Sequence, residues 1–298
     1  MAAVVPSSLE TPAPRYRRMT SADLSSAHRL SQAVRWPHRL EDWQFVAALG
    51  TGFVAEADGE LIGTALCWGF GEKHGALGLV IVAPDAQGRG IGRELMTRVL
   101  AVLGDRVTFL HATPAGQPLY EKLGFDACGS VTQHQAIVGE IAAIAPLPGD
   151  ILRQGHAADM PQLIALMQRS SGIDHHHTLP ALQDVAETLV LERDGALIGC
   201  AFFRRFGRGH VIGPVFAERD DAARSAKVLI SYWLARHAGD FLRIDIAGNA
   251  VLSEWLEACG LPAVDTGVKM VRNAGPDEPS VVGNTDYATY AILNQAMG

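Results

Sequence analysis

The 298-residue sequence predicts an α/β (α+β) fold built twice, each copy a mixed, largely antiparallel sheet flanked by helices. Three observations predict it. First, Asp58-Gly59-Glu60-Leu61-Ile62-Gly63 returns 136 positions later as Asp194-Gly195-Ala196-Leu197-Ile198-Gly199. The same displacement aligns Arg17 with Arg153, Asp23 with Asp159, Gln32 with Gln168, Phe70-Gly71 with Phe206-Gly207, His74 with His210 and Gly124 with Gly260. Chance matches would scatter over many displacements, so one register held this far points to a duplication. Second, helical apolar spacing and short continuous apolar runs alternate in the same order in each half, which suits a sheet with helices on both faces. Third, Gly88, Gly90 and Gly92 sit where an apolar run hands over to an amphipathic segment.

Each element follows in chain order. Residues 1–14 carry Pro6, Pro12 and Pro14 among small side chains and lack a charged start before an apolar block, so they read as a loose arm rather than a secretory signal. Apolar positions at helical spacing fill 24–34 and 163–167, and second helices are expected over 40–49 and 182–188. Phe53-Val54-Ala55 and Leu189-Val190-Leu191 read as strands that turn through Asp-Gly into 61–70 and 197–206. The apolar run 79–83 is a strand, followed by the glycine loop and a helix with Ile91, Leu95, Val99 and Val102 on one face. A strand over 107–112, a short helix and a final strand complete the copy. Pro146, Pro148 and Gly149 mark 142–150 as a linker between domains at 15–141 and 151–272, and 273–298 is left as a tail in which 286–297 is expected to form a short helix.

Composition narrows the function classes. A net charge of −7 argues against general nucleic-acid binding, which needs a basic surface to neutralise phosphates. No apolar run approaches the ~20 residues of a membrane span. Cys67, Cys128, Cys200 and Cys259 are far apart and form no C-x-x-C pair, the pattern of free thiols in a reducing cytoplasm. The expected partner is therefore a small or cationic molecule, and a homodimer is left open.

The loop Gln87-Gly88-Arg89-Gly90-Ile91-Gly92 is built for an anion. Glycine lets backbone approach a phosphate, and the first turn of a helix offers N–H groups without internal partners. A dinucleotide fingerprint would read G-x-G-x-x-G with an acidic residue about 20 positions later, and a Walker loop would end in Gly-Lys-Ser/Thr. Here the spacing is G-x-G-x-G, the next strand ends in His111-Ala112, and Gly92 is followed by Arg93-Glu94, so neither fits.

The same run after an apolar strand resembles the acetyl-CoA loop of the GNAT family of N-acyltransferases. Further on, Leu119-Tyr120-Glu121-Lys122-Leu123-Gly124-Phe125 resembles that family's L-Y-x-x-x-G-F helix and turn. The resemblance implies a tandem GNAT protein with acetyl-CoA as co-substrate and no metal. It places backbone N–H groups near Val80, Ile81 and Val82 beside the pantetheine arm, and Gln87, Gly88, Arg89, Gly90, Ile91, Gly92 and Arg93 around the pyrophosphate. Tyr120 matches the position credited with protonating the departing sulfur, although an aromatic stapling helix to sheet is its other reading. The family's Asn seven residues before this Tyr is Thr113 here, and an Asn stands at the matching place of the second copy, Asn249.

Glu41, Asp42, Glu72, His74 and His111 are candidate general bases, with His111 preferred for its closeness to the Tyr120 motif. The family's acceptor cleft is lined by the loop between the first two helices, which here holds Trp36, His38 and Arg39 beside a packing role for the Trp. In the second copy the displacement turns the glycine loop into Ala223-Arg224-Ser225-Ala226-Lys227-Val228 and Tyr120 into Leu256. Residues 222–236 then read as one uninterrupted helix with Asp220 or Asp221 as N-cap, so this copy is expected to be degenerate. Its tract Asp174-His175-His176-His177 reads as a solvated loop rather than a metal site. The expected activity is transfer of an acetyl group by direct attack of a small-molecule, amino-acid or protein amine. The alternative is a non-catalytic acyl-CoA sensor.

Overall fold

In the computed structural model, which describes residues 13–275 and 286–298, the two copies share one 13-stranded sheet. The first copy runs β1 (Arg15–Arg18), α1 (Leu24–Ala33), α2 (Leu40–Leu49), β2 (Thr51–Ala57), β3 (Glu60–Phe70), β4 (His74–Val82), α3 (Ile91–Leu103), β5 (Val107–Ala112), α4 (Gln117–Glu121) and β6 (Asp126–Ile137). The second repeats it as β7 (Asp150–Gln154), α5 (Met160–Ser171), α6 (Thr178–Gln183), β8 (Glu187–Arg193), β9 (Ala196–Phe206), β10 (Gly209–Glu218), α7 (Arg224–Arg236), β11 (Phe241–Ala247), α8 (Ala250–Ala258) and β12 (Ala263–Arg272), and adds β13 (Tyr287–Ala291).

The duplication is written in ion pairs as well as in topology. The Arg17 guanidinium donates to Asp23 (2.8 Å) and Glu56 (3.0 Å), and Arg153 donates to Asp159 (2.8 Å) and Glu192 (2.9 Å), every partner displaced by the same interval. Both Asp-Gly turns are also the same: Asp58 and Asp194 each have φ of 51°, followed by Gly59 and Gly195 at 79° and 78°. Consecutive left-handed residues of this kind match the twist of a two-residue hairpin.

The order of strands is β1-β2-β3-β4-β5-β12-β6-β11-β13-β10-β9-β8-β7. The final strands have changed places. β12 runs antiparallel to β5 of the first copy, with Val268 opposite Ala112, while β6 runs antiparallel to β11 of the second, with Phe241 opposite Ile137. β6 and β12 then pair with each other at the centre. The stretches 15–141 and 151–272 thus interlock, each completing the other's sheet.

Packing follows the exchange. On one face α3 buries Ile91, Leu95 and Val99 against β2, β3 and β4; on the corresponding side of the second copy α7 buries Val228, Leu229 and Trp233. On the opposite face the helix pairs of both copies meet over a single shared core in which Trp43, Val46 and Trp68 join Leu163, Leu179 and Phe202. Among the described residues no helix is long and apolar enough to cross a bilayer. All four cysteines are unpaired, with Cys67 and Cys200 buried and their thiols pushed up to about 12 by that burial.

Four expectations need correcting. The second helix of the second copy ends at Gln183, and Thr188 already lies in β8. Val102 is 38% exposed, because the buried residues of α3, Ile91, Leu95, Met96, Val99 and Leu103, centre on the Val99 side and leave Val102 at the edge of the stripe. Residues 286–297 form a strand and a turn rather than a helix, since β10 leaves backbone groups that Tyr287–Ala291 satisfies. The helix expected over 222–236 starts at Arg224, after Ala222 and Ala223 in the left-handed region at φ 51° and 55°. The arm 1–14 lies mostly outside the described residues, as does much of the tail.

Because β5 gains its outer partner only from β12, a fragment ending at residue 141 leaves β5 as an open edge and β6 without its partners. Such edges pair with other chains. The fragment 13–141 is expected to associate or aggregate when expressed alone and to form a soluble one-to-one complex with 142–298, as read by sedimentation equilibrium.

Candidate active site

β4 and β5 are parallel neighbours only at His74–Val107, Gly75–Thr108 and Ala76–Phe109. Beyond that the strands part, and the β4 edge from Leu77 onward faces a gap without a ladder partner. A bulge accompanies the parting: Thr64 pairs with Ile81 but Leu66 with Gly78, and Leu79 takes φ of 51°. The Thr64 hydroxyl donates to the Leu79 carbonyl (2.7 Å), which holds this conformation of a non-glycine residue in place.

At the end of β4 the chain turns through the glycine loop into α3. Gly88 and Gly90 have φ of 76° and 80°, the latter as the residue that caps the helix, and a Cβ on either would meet no atom within 4 Å. Backbone conformation rather than crowding is therefore what selects glycine here. The first intrahelical bond is accepted by the Gly90 carbonyl from the Glu94 N–H (3.1 Å), leaving the earlier amides of α3 toward solvent. The Gln87 amide ties the loop back to the Val82 carbonyl (3.2 Å).

This loop opens into a cleft of about 1120 Å³. Of the residues singled out by sequence, Val80, Ile81, Val82, Gln87, Gly88, Gly90, Ile91, Gly92, Arg93, His111, Tyr120, Trp36 and His38 border it. Arg89 is exposed and does not border it. Arg39 also lies off the cleft wall: its guanidinium donates to Asp42 (2.8 Å) and the Arg205 carbonyl (3.2 Å). Asp42 is consumed by the same contact and by the Gly207 N–H (3.0 Å), so it serves structure rather than base chemistry. Asn249 N-caps α8 by accepting from the Leu252 N–H (2.9 Å), a structural duty.

Tyr120 is buried, with its ring edge-to-face on Phe125 at 6.2 Å, and burial pushes its phenol up to about 12. His111 receives its tautomer from the Gln295 carbonyl, 3.1 Å from Nδ1, so that nitrogen carries the proton and Nε2 keeps its lone pair. Burial first, and then the Lys269 charge, hold its pKa down to about 4. His38 is likewise pushed down to about 4, chiefly by burial, between Trp36 (5.8 Å) and Phe206 (5.5 Å).

Sequence reasoning missed the far wall of the cleft. Gln133 of β6, Asp265 of β12, Arg243 of β11, and Phe206 and Arg208 around the β9–β10 turn all border it, with Asn294 and Gln295 from the turn after β13. Arg243 is buried and donates to Asp245 at 3.0 Å. The exchanged strands bring these side chains in, and no local motif marks them.

The second copy lacks this opening. β10 and β11 also start parallel, at His210–Leu242 to Ile212–Ile244, but β13 occupies the space where they part, paired to β10 from Val215 to Glu218 and to β11 at Ile246. Its strand-to-helix loop is three residues shorter than 83–90. There the Asp220 carboxylate accepts from the N–H (2.8 Å) and hydroxyl (2.7 Å) of Ser225, at the start of α7 where an anionic ligand would lie. The histidine tract is divided as well: His175 is buried against Phe70 (5.4 Å), while His176 pairs with Asp174.

Comparison with known proteins agrees with this geometry. The profile of the "Acetyltransferase (GNAT) family" matches residues 17–125, and that of an "Acetyltransferase (GNAT) domain" matches residues 164–280. An uncharacterized N-acetyltransferase of Bacillus subtilis is 28% identical over 177 residues, covering 57% of this chain and 60% of the relative. An amino-acid acetyltransferase of Neisseria meningitidis is 27% identical over 178 residues, covering 56% of this chain and 37% of the relative. The chain thus spans less than two thirds of either curated relative. Among solved structures, a protein of Pyrococcus horikoshii provisionally described as an acetyltransferase superposes with a TM-score of 0.77 at 20% identity over all of both chains.

The cleft histidine yields a prediction. A His with native pKa about 4 and unfolded pKa ~6.5 favours folding fully above pH ~6.5, and that contribution is lost as pH falls toward 4. Urea melts of wild type are expected to lose stability steadily over this window. His38→Leu is expected to lose less of its own stability over the same range.

Proposed function

From the chain's membership of the GNAT acetyltransferase family, which both of its halves share, we propose that the first copy transfers the acetyl group of acetyl-CoA to the amine of a small polar acceptor. The observation that carries this reading is the single cleft that joins the gap beside β4, the glycine-capped start of α3 and Tyr120.

Coenzyme A fits the residues present. The amides at the start of α3 and the positive end of its dipole suit a pyrophosphate, and Arg93 adds a cation at the same rim. Gly88 and Gly90 leave open space where side chains would otherwise project. Unpaired backbone groups along Leu77 to Val82 suit the amides of a pantetheine arm, and an N–H on this edge suits the oxygen of a thioester as it gains charge during attack.

The acceptor nitrogen attacks the carbonyl carbon, the carbon–sulfur bond breaks, the sulfur leaves as thiolate, and the proton that the nitrogen sheds as it becomes an amide passes to water. Tyr120 is the group placed to meet it. A phenol near 12 against a thiol near 8.5 makes complete proton transfer uphill by roughly 5 kcal/mol, so its role is a hydrogen bond to developing negative charge. His111 is neutral at pH 7 and too weak a base to strip an ammonium. Its Nε2 accepts a hydrogen bond from an amine that has already lost its proton to water.

The far wall supports an amino-acid-like acceptor. Arg208 supplies positive charge for a carboxylate, while Arg243 is already paired with Asp245; Asp265 attracts the acceptor's ammonium before it loses its proton, and Trp36 and Phe206 give an apolar side. The amino-acid acetyltransferase among the relatives is consistent with that choice.

Calorimetric titration of acetyl-CoA should show binding to wild type and a loss of about a hundredfold or more in Gly90→Glu, whose carboxylate competes with phosphate for the helix start. Thiol release should then appear with some member of an amino-acid panel. Binding without any turnover would favour the sensor reading, and no binding would end both. Tyr120→Phe is expected to lower kcat about 10–150-fold, the worth of a hydrogen bond to a charged group, with little change in acetyl-CoA affinity. The pH profile of kcat/KM should follow the acceptor amine and show no inflection near 6.5; such an inflection, removed by His111→Phe, would restore a base role for His111.

A further inference from the structure

A second cavity, of about 250 Å³, lies on the other side of the turn that follows β13. Asn294, Gln295 and Ala296 of that turn face the first cleft, whereas Ile292, Leu293 and Met297 face the second. The two spaces are related by the duplication. Ser170, Ser171, Ile173, Pro214, Phe216 and Lys269 border the second, and positions 136 earlier, Val34, Arg35, Pro37, Gly78, Val80 and Gln133, border the first. The relation also works in reverse, for Phe206 borders the first and Phe70 the second. The second copy has therefore kept the acceptor half of its cleft, although β13 and Asp220 fill its coenzyme half.

The retained space has its own chemistry. Its wall is mainly apolar, with Phe109, Met167 and Leu293 among its members, and among the described residues bordering it no side chain is acidic. Lys269 reaches it half-buried. Its ammonium lies 5.5 Å from the Phe109 ring centroid, no ion pair to a carboxylate is found for it among the described residues, and burial lowers its pKa. Exposed Arg219 adds a second cation to the lining. Two polar atoms on the same wall, Nδ1 of His175 and the hydroxyl of Thr289, are buried without a hydrogen-bond partner, and His175 is only 9% exposed. A buried cation and buried polar atoms left without partners are costly unless a ligand supplies them.

We propose that this cavity is a second ligand site, which binds a small organic monocarboxylate with its carboxylate on Lys269 and its apolar tail among Phe109, Met167 and Leu293. The volume is below the 300–1,000 Å³ usual for drug-sized ligands, so the tail is short. The proposal does not rest on acyl transfer, although His111 borders both spaces.

The test uses hexanoate as probe with the full chain. Calorimetry should show saturable binding of hexanoate at millimolar concentration, no saturable heat with hexan-1-ol, and an affinity unchanged by saturating coenzyme A. Lys269→Met should weaken binding about tenfold or more, with Lys269→Arg closer to wild type. Methyl NMR of the wild type needs no variant to fold: the Met167 and Met297 signals should move on titration while Met96, buried on α3 and not part of this lining, stays in place. Absence of saturable binding, equal binding by a folded Lys269→Met protein, displacement by coenzyme A, or unmoved Met167 and Met297 signals would each overturn the site.

Discussion

The reciprocal exchange of β6 and β12 is the constraint on which the rest of this molecule depends. Backbone N–H and C=O groups along a strand edge must be paired, and β5 and β11 each end their own copy with one edge open. The chain answers by sending each final strand to the other copy, with β6 and β12 paired across the centre. That pairing fixes the relative position of the halves more firmly than side-chain packing alone. It also delivers Gln133 and Asp265 to the cleft wall, so this wall of the cleft is not complete without the second copy.

The two copies offer two solutions to one geometrical problem. Parallel strands that begin as neighbours and then diverge leave unpaired backbone and a wedge of space. In the first copy the wedge stays open and leads to a glycine-capped helix start; in the second, Tyr287–Ala291 fills it with ladder hydrogen bonds and Asp220 supplies the negative charge at the helix start. Protein atoms have taken the places that a pantetheine arm and a pyrophosphate suit. This accounts for the tolerance of a shorter loop without glycine: with the anion built in, no backbone need approach a ligand.

What could be read in the sequence was what is local. The interval between the Asp-Gly turns, the glycine loop and the Tyr120 motif each sit within a few residues, and from them followed the duplication, the sheet-and-helix order and one wall of the cleft. Arg39 was misread because a cation in a loop looks free until Asp42, three residues on, proves to be its partner. The helix expected over 286–297 failed because tertiary demand for a strand beside β10 outweighed local preference. The fixed displacement also lapses after residue 218, where the loop is three residues shorter and α7 starts 133 rather than 136 positions after α3, and it is regained by Gly260. Arg208, Arg243 and Asp265 had no signal at all, since all three belong to the second copy and reach the cleft only when the two copies interlock.

A duplicated copy in which β13 and Asp220 fill the strand gap and the helix start has no evident reason to keep a cavity beside them. Dense packing is the rule in protein interiors, and a space of this size forfeits dispersion contacts along its whole lining. Here the space persists beside a half-buried Lys269 and an unpartnered His175, where apolar residues of larger volume would be more stabilising. The turn 292–298 that closes it is held by many bonds, from Asn294 capping the amides of Ala296 and Met297 to Arg204 on the Leu293 carbonyl, so collapse of a loose segment is not what the cavity awaits. A space kept open against both packing and electrostatics is explained by an occupant. The same turn separates it from the first cleft through Gln295 and His111, so that occupant would rest against the wall that orients the His111 ring.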